Sequence, residues 1–221
     1  MDGLLILMAT RWSCGKRRIR GMRIRMLIAA LAMSVSFGYG AGGNEIPAPK
    51  MQKSSEQRAI DHYNAGLRHR DKAWKHQEKA LASTRDRDRR KYEQRAQREF
   101  GKAAKRYRSA LEYQPKLYQA HGSLGYALKE MSDYDAAISA YDASLALRPQ
   151  YTPAIEYLAE AHLALGKIEQ TQQAYDDLVR LDPVKADELM EAINRWVAAS
   201  PENISSEAIA QMAAWVAARK P

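Results

Sequence analysis

Residues 118–149 read YQAHGSLGYALKEMSDYDAAISAYDASLALRP. Leu124, Gly125, Tyr126, Ala127 and Leu128 form one apolar-rich segment, Ser132-Asp133 a polar break, and Tyr134, Ala136, Ala137, Ile138, Tyr141, Leu145 and Leu147 a second segment. Apolar residues recur at three- and four-residue steps on both sides of the break, which predicts two amphipathic helices joined by a short turn. Gly125 and Ala137 are expected where the helices approach most closely, and Tyr141 is expected to fill the wider space toward the next unit. Pro149 closes the second helix, because proline lacks an N–H and disfavours helical geometry at Arg148 before it.

The same pattern recurs on both sides of this stretch. Tyr107, Tyr141 and Tyr175 stand 34 residues apart, as do Pro115, Pro149 and Pro183. Residues 152–183 carry Leu158-Ala159, Ala161, a Leu165-Gly166-Lys167 turn, Ala174-Tyr175 and Leu178, with Thr171 in place of the expected alanine. Period, residue types and turn chemistry together resemble the tetratricopeptide repeat family. The resemblance implies an all-α, right-handed solenoid of antiparallel helical hairpins whose first helices line a concave groove that takes a protein or peptide.

An earlier unit breaks the beat. Its second helix is recognisable in Ala103-Ala104, Tyr107, Ala110-Leu111 and Pro115, and its first helix surrounds His62, Tyr63, Asn64, Gly66 and Leu67. Gly66 and Ala103 are 37 residues apart where Gly125 and Ala137 are 12, leaving 25 additional helix-compatible residues. The reading is a protruding hairpin with each helix about 12 residues longer and its tip at Ser83-Thr84; the rival is a charged disordered insertion. Ile60, Leu67, Trp74 and Leu81 at seven-residue steps, and Tyr92, Ala96, Phe100, Ala103 and Tyr107 at three- and four-residue steps, predict an antiparallel coiled coil. After Pro183, residues 184–199 and 204–219 read as closing helices that shield the last apolar face, with Ser200-Pro201 as the start of the second and Trp196 and Trp215 as core.

Met22-Arg23-Ile24-Arg25 and the apolar run from Met26 to Phe37 fit an export signal. The expected organisation is therefore a signal over 1–40, with translation starting at Met22 as one reading, and a linker over 41–55. An atypical repeat over 56–115, repeats over 116–149 and 150–183, and closing helices over 184–221 follow. The expected location is exported and periplasmic, an uncleaved N-terminal anchor being the alternative. The one cysteine, Cys14, falls within the signal, so no disulfide is expected in the mature chain.

Net charge is +9, but its distribution is the informative part. Residues 50–110 hold 19 Lys/Arg against 8 Asp/Glu, a balance of +11, and residues 111–221 hold 9 against 16, a balance of −7. Arg85, Arg87, Arg89, Arg90, Lys91, Arg95 and Arg98 are expected to crowd the hairpin tip and return helix. They make a candidate contact for an anionic membrane surface or cell-wall polymer. No aromatic interleaves the arginines near the tip, so nucleic acid is not expected as a partner.

No catalytic constellation, phosphate loop or paired-histidine motif is present, and the chain is read as non-enzymatic, with no cofactor and no metal. His62, His69 and His76 lie at seven-residue steps, about 10.5 Å apart along a helix, too far to share a metal, and read as polar surface. His121 and His162 read as packing residues. The candidate groove residues are Tyr63, Asn64, Arg70, Tyr126, Lys129, Glu156, Tyr157 and Glu160, where tyrosines flanked by charges offer flat area plus a hydroxyl. The Lys/Asn/Arg clamp of chaperone-tail-binding relatives is not evident: Pro153, Glu156 and Tyr157 stand where part of it would be. A protein or peptide partner is expected, held by an adaptor in the cell envelope.

Overall fold

Small residues at seven-residue steps bring the first two helices together. The computed structural model describes residues 53–219; the export segment, its start site and most of the linker lie outside the described residues. Helix α1 (Ser55–Leu81) turns at residues 82–85 into α2 (Asp86–Tyr113), and the two run antiparallel. Ala59, Gly66, Ala73 and Ala80 are the buried stripe of α1, packed on Ala96, Phe100, Ala103, Tyr107 and Ala110 of α2. The expected seam of Ile60, Leu67, Trp74 and Leu81 is therefore displaced by one residue: the first three are half-buried at the flank and Leu81 is 52% exposed. Two long helices close most tightly over their smallest side chains, and larger neighbours go to the sides. The insertion is helical on both sides of the tip rather than disordered. It extends unevenly: beyond Gly66 and Ala103, α1 is 10 residues longer and α2 14 residues longer than their counterparts in the next hairpin.

The regular hairpins follow as α3 (Tyr118–Glu130) with α4 (Tyr134–Leu147), and α5 (Thr152–Ala164) with α6 (Ile168–Leu181); α7 (Pro183–Ala199) and α8 (Ser206–Ala217) close the array. Each helix packs on the next, and α3 on α5 and α5 on α7 stack first helix against first helix. This is the helical solenoid expected from the period.

The hairpin turns are built alike. Asp133 donates to the Leu128 carbonyl and Lys167 to the His162 carbonyl, each across five residues, with Ser132 (φ 61°) and Gly166 (φ 69°) in the left-handed region between. This is the helix-end arrangement that glycine satisfies without strain and serine does not.

The tyrosines that mark the period are the core. Tyr107 and Tyr141 are fully buried. A Cβ on Gly66 would lie 2.4 Å from the Tyr107 ring, and one on Gly125 2.7 Å from the Tyr141 ring. These glycines thus seat the aromatic ring of their own hairpin. In the third hairpin Ala159 stands where a glycine would, and Tyr175 turns outward to pack edge-on against Trp215 of α8 at 5.2 Å. Thr171, the departure from alanine, is fully buried and donates its hydroxyl to the Lys167 carbonyl at 2.9 Å.

Two closing features differ from expectation. Pro183 is the first residue of α7, with Asp182 accepting from the Lys185 N–H at 3.3 Å, so α6 passes into α7 almost without a loop. Ser200 does not start α8: it ends α7 in the left-handed conformation, and Ser205 caps α8 by accepting from Ala208 N–H at 3.2 Å. Trp196 is buried and Trp215 half-buried, both in the core that unites α5 to α8.

Candidate functional site

The first helices α1, α3, α5 and α7 share one side of the array, and a connected row of aromatic and charged side chains runs across it. Trp74 of α1 donates Nε1–H to the Tyr126 hydroxyl of α3 at 2.8 Å and meets its ring edge-on. Tyr126 in turn lies 5.0 Å from Tyr157 of α5. Lys129 Nζ sits 5.3 Å from both tyrosine rings and binds Glu160 at 2.7 Å and Glu130 at 3.2 Å. Lys185 of α7 pairs with Glu156 at 2.8 Å and Glu188 at 2.6 Å, 6.0 Å from the Tyr157 ring. On the α1 side, Gln77 donates to Glu130 at 2.7 Å, and Arg70 stacks 4.2 Å from Trp74.

Burial sets the charge state of this row. Burial works against the Lys129 ammonium, but Glu160 and Glu130 outweigh it and hold the lysine well above its ordinary range. Burial raises the Glu160 carboxyl, with Lys129 opposing. Burial and the neighbouring Glu160 push Glu156 up to about 8, against the pull of Lys185. Lys185 also titrates high, because Glu156 and Glu188 overcome its own desolvation. Four carboxyls thus surround two ammonium groups, and Glu156 is largely protonated at neutral pH.

Of the eight groove candidates, Tyr126, Lys129, Tyr157 and Glu160 come together directly. Arg70 joins through Trp74, and Glu156 through Lys185. Tyr63 lies at a separate level, its hydroxyl 3.4 Å from Ser123 Oγ. Asn64 is exposed. Lys129, Glu156 and Glu160 are buried, at 8%, 4% and 6% exposure, so they are not the outward-facing side chains expected. Lys129 binds Glu160 and Glu156 binds Lys185, because adjacent first helices pack too closely to leave unpaired charges between them. Trp74, Gln77, Glu130 and Lys185 belong to the row and were not expected in it. Trp74 reads as coiled-coil seam in a seven-residue pattern, and only the one-residue displacement of that seam turns it to α3.

The basic hairpin residues divide into two groups. Arg85 pairs with Asp88 at 2.6 Å and Arg89 with Asp86 at 2.7 Å, which offsets two of the four arginines at the tip. Arg95 lies against the Tyr92 ring at 5.7 Å, and Arg87, Arg90, Lys91 and Arg98 are exposed. His62, His69 and His76 are half-buried rather than surface residues. All three face α2, stacking on Tyr113, binding Glu99 at 2.7 Å and stacking on Tyr92 respectively. His121 binds the Pro115 carbonyl at 2.8 Å. No group of three or more His, Cys, Asp or Glu among the described residues could hold a metal ion.

Residues 128–193 match a tetratricopeptide repeat family model. That match runs from the end of α3 through α4, α5 and α6 into α7; the long hairpin and most of α3 lie outside it. Among solved structures, the one titled "First TPR of Spaghetti (RPAP3) bound to HSP90 peptide SRMEEVD" is similar over 60% of this chain and 94% of that one, at 19% identity and a TM-score of 0.43. Comparison with curated protein sequences gives no match.

Proposed function

We propose that this chain is a non-enzymatic adaptor that holds a segment of another protein along α1, α3, α5 and α7, and that it works in the cell envelope after export. The observation that carries the reading is the prearranged row Trp74–Tyr126–Tyr157. Aromatic side chains are locked by hydrogen bonds and ring contacts onto helix positions, so little ordering entropy remains to be lost on binding. Tyr63, Tyr126 and Tyr157 are half-buried, and Asn64 and Asp71 stand exposed at the α1 end of the row. The row's lysines are already bound to glutamates, so a free C-terminal carboxylate finds no clamp here. The row therefore favours an internal segment over a free C-terminus.

The test is selection of binding peptides from a displayed library, followed by titration against rim variants. Asn64→Arg and Asp71→Arg should each weaken the selected peptides by about tenfold, whereas Ser139→Arg, exposed on α4, should leave them unchanged. Equal effects at all three positions would sink the groove reading. Export is tested separately, by sequencing the N-terminus of the chain recovered from envelope fractions. The reading expects the mature chain to begin at Ala41.

A further inference from the structure

The long hairpin carries a broad side that no other described helix covers and whose charge the groove does not use. On α1, Trp74 and Gln77 meet α3, while His69 and His76 meet α2. At 100° per residue, Arg68, Lys72, Lys75 and Lys79 then fall on the side turned away from α3. On α2, Gln97 donates to the Glu130 carbonyl at 2.8 Å and Phe100 packs on Tyr126 at 6.0 Å, which fixes the α3 side of that helix. Lys91, Arg98, Lys105 and Arg106 fall on the opposite side, beside the α1 row.

Both rows are exposed. Most carboxylates nearby are taken: Glu99 by Lys102 at 2.6 Å and His69 at 2.7 Å, Asp61 by Lys53 at 2.6 Å, Asp71 by Arg70 at 2.8 Å, and Asp88 by Arg85 at 2.6 Å, while Glu78 stands exposed. Arg85 and Arg89 at the tip are paired, Arg87 and Arg90 there are exposed, and most of the remaining cations are spread along the side of the hairpin.

We infer that this side of the α1–α2 hairpin docks the protein on an anionic lipid bilayer. Two antiparallel helices, each about 40 Å long, present their cations from adjacent rows, which suits many headgroups in one plane. A single-stranded polyanion would want stacking platforms. The aromatic ring here, Tyr92, is already stacked on His76 and flanked by Lys79 and Arg95. The remainder of the chain supports one orientation: residues 111–221 carry a balance of −7 against +11 for residues 50–110, so an anionic surface attracts the hairpin and repels the repeats. Docked this way, the protein keeps the first-helix row free for its partner.

The experiment is co-sedimentation of the full chain with phosphatidylcholine vesicles, with and without about 30 mol% phosphatidylglycerol, at low and high salt. Binding is expected to require the anionic lipid and to fall by about tenfold or more between roughly 0.05 and 0.5 M salt. Lys72→Glu/Lys75→Glu and, separately, Lys91→Glu/Arg98→Glu should each remove most of it. Lys116→Glu/Lys167→Glu, an equal charge change on exposed positions outside the hairpin, should remove much less. Circular dichroism confirms that each variant remains helical, and a variant that unfolds is replaced by the corresponding Gln pair, with the same ordering expected. Equal binding to neutral vesicles, or equal loss in the Lys116/Lys167 variant, overturns the inference. So does capture by soluble polyphosphate with no sedimentation on anionic vesicles.

Discussion

Replacing Lys129 by Met isolates the buried charge cluster that ties α3 to α5. Methionine keeps most of the stem volume, so the change is chiefly the loss of one ammonium from beside Glu160 and Glu130. Glu160, 6% exposed, is then a buried carboxylate with acidic neighbours and no counter-ion on α3. It escapes by taking up a proton, and that escape sets the size of the effect. From an ordinary value of 4.5, protonation at pH 7 costs about 1.36 kcal/mol for each of 2.5 pH units, roughly 3.4 kcal/mol in all. That figure caps the loss of folding stability and sits in the range for breaking a buried pair.

The cap also dictates a pH dependence. A carboxyl whose folded value lies above its unfolded value contributes stability below about pH 4.5 that is lost as pH rises through the folded value. The Lys129→Met penalty relative to the parent should therefore shrink to about 1 kcal/mol at pH 5. Urea unfolding of both proteins at the two pH values measures it. Adding Glu160→Gln to the variant should recover part of the loss at pH 7, because the amide has no charge to bury. A penalty equal at pH 5 and 7, or below about 0.5 kcal/mol at pH 7, refutes the reasoning.

Two further outcomes test the hairpin chemistry. Gly125→Ala places a methyl 2.7 Å from the fully buried Tyr141 ring. Overpacking of about 1–3 kcal/mol should exceed the helix-propensity gain of about 1 kcal/mol, and thermal unfolding should show a net loss; an unchanged or raised midpoint contradicts it. Ser132→Gly relieves a left-handed serine at the turn position where the next hairpin has Gly166. It should stabilise by about 0.5 kcal/mol after the backbone-entropy cost of glycine, and a loss in the same melt would show that the turn is not strained.

The solenoid is legible in the sequence because its marks are local. Tyr107 and Tyr141, with the prolines eight residues later, signal second helices at a fixed period, and the turn at 165–167 names its own helix end. The site is less legible because its partners are set by packing between helices. Lys129 and Glu160 are 31 residues apart, and Lys185 and Glu156 29 apart. No spacing rule within a helix marks them as pairs, and each reads singly as a surface charge. Trp74 shows the same limit from another direction. A seven-residue pattern is satisfied equally by Ile60, Leu67, Trp74 and by Ala59, Gly66, Ala73, and only the preference of close-packed helices for small side chains chooses the second. The charge division at residue 110 was visible directly. The tip pairs Arg85–Asp88 and Arg89–Asp86 are three residues apart and follow from helix spacing, whereas the pairing of His69 with Glu99 across the hairpin needed the fold.

The account's central claim is that the first-helix side holds another protein. The most direct measurement is photo-crosslinking in living cells, with benzoylphenylalanine placed at Asn64 on α1 or at Ser139 on α4, both exposed. The account predicts that a discrete protein adduct forms from position 64, is absent from position 139, and is lost when Asp71→Arg is added. Adducts of equal yield from both positions, or an adduct from position 139 alone, would contradict it.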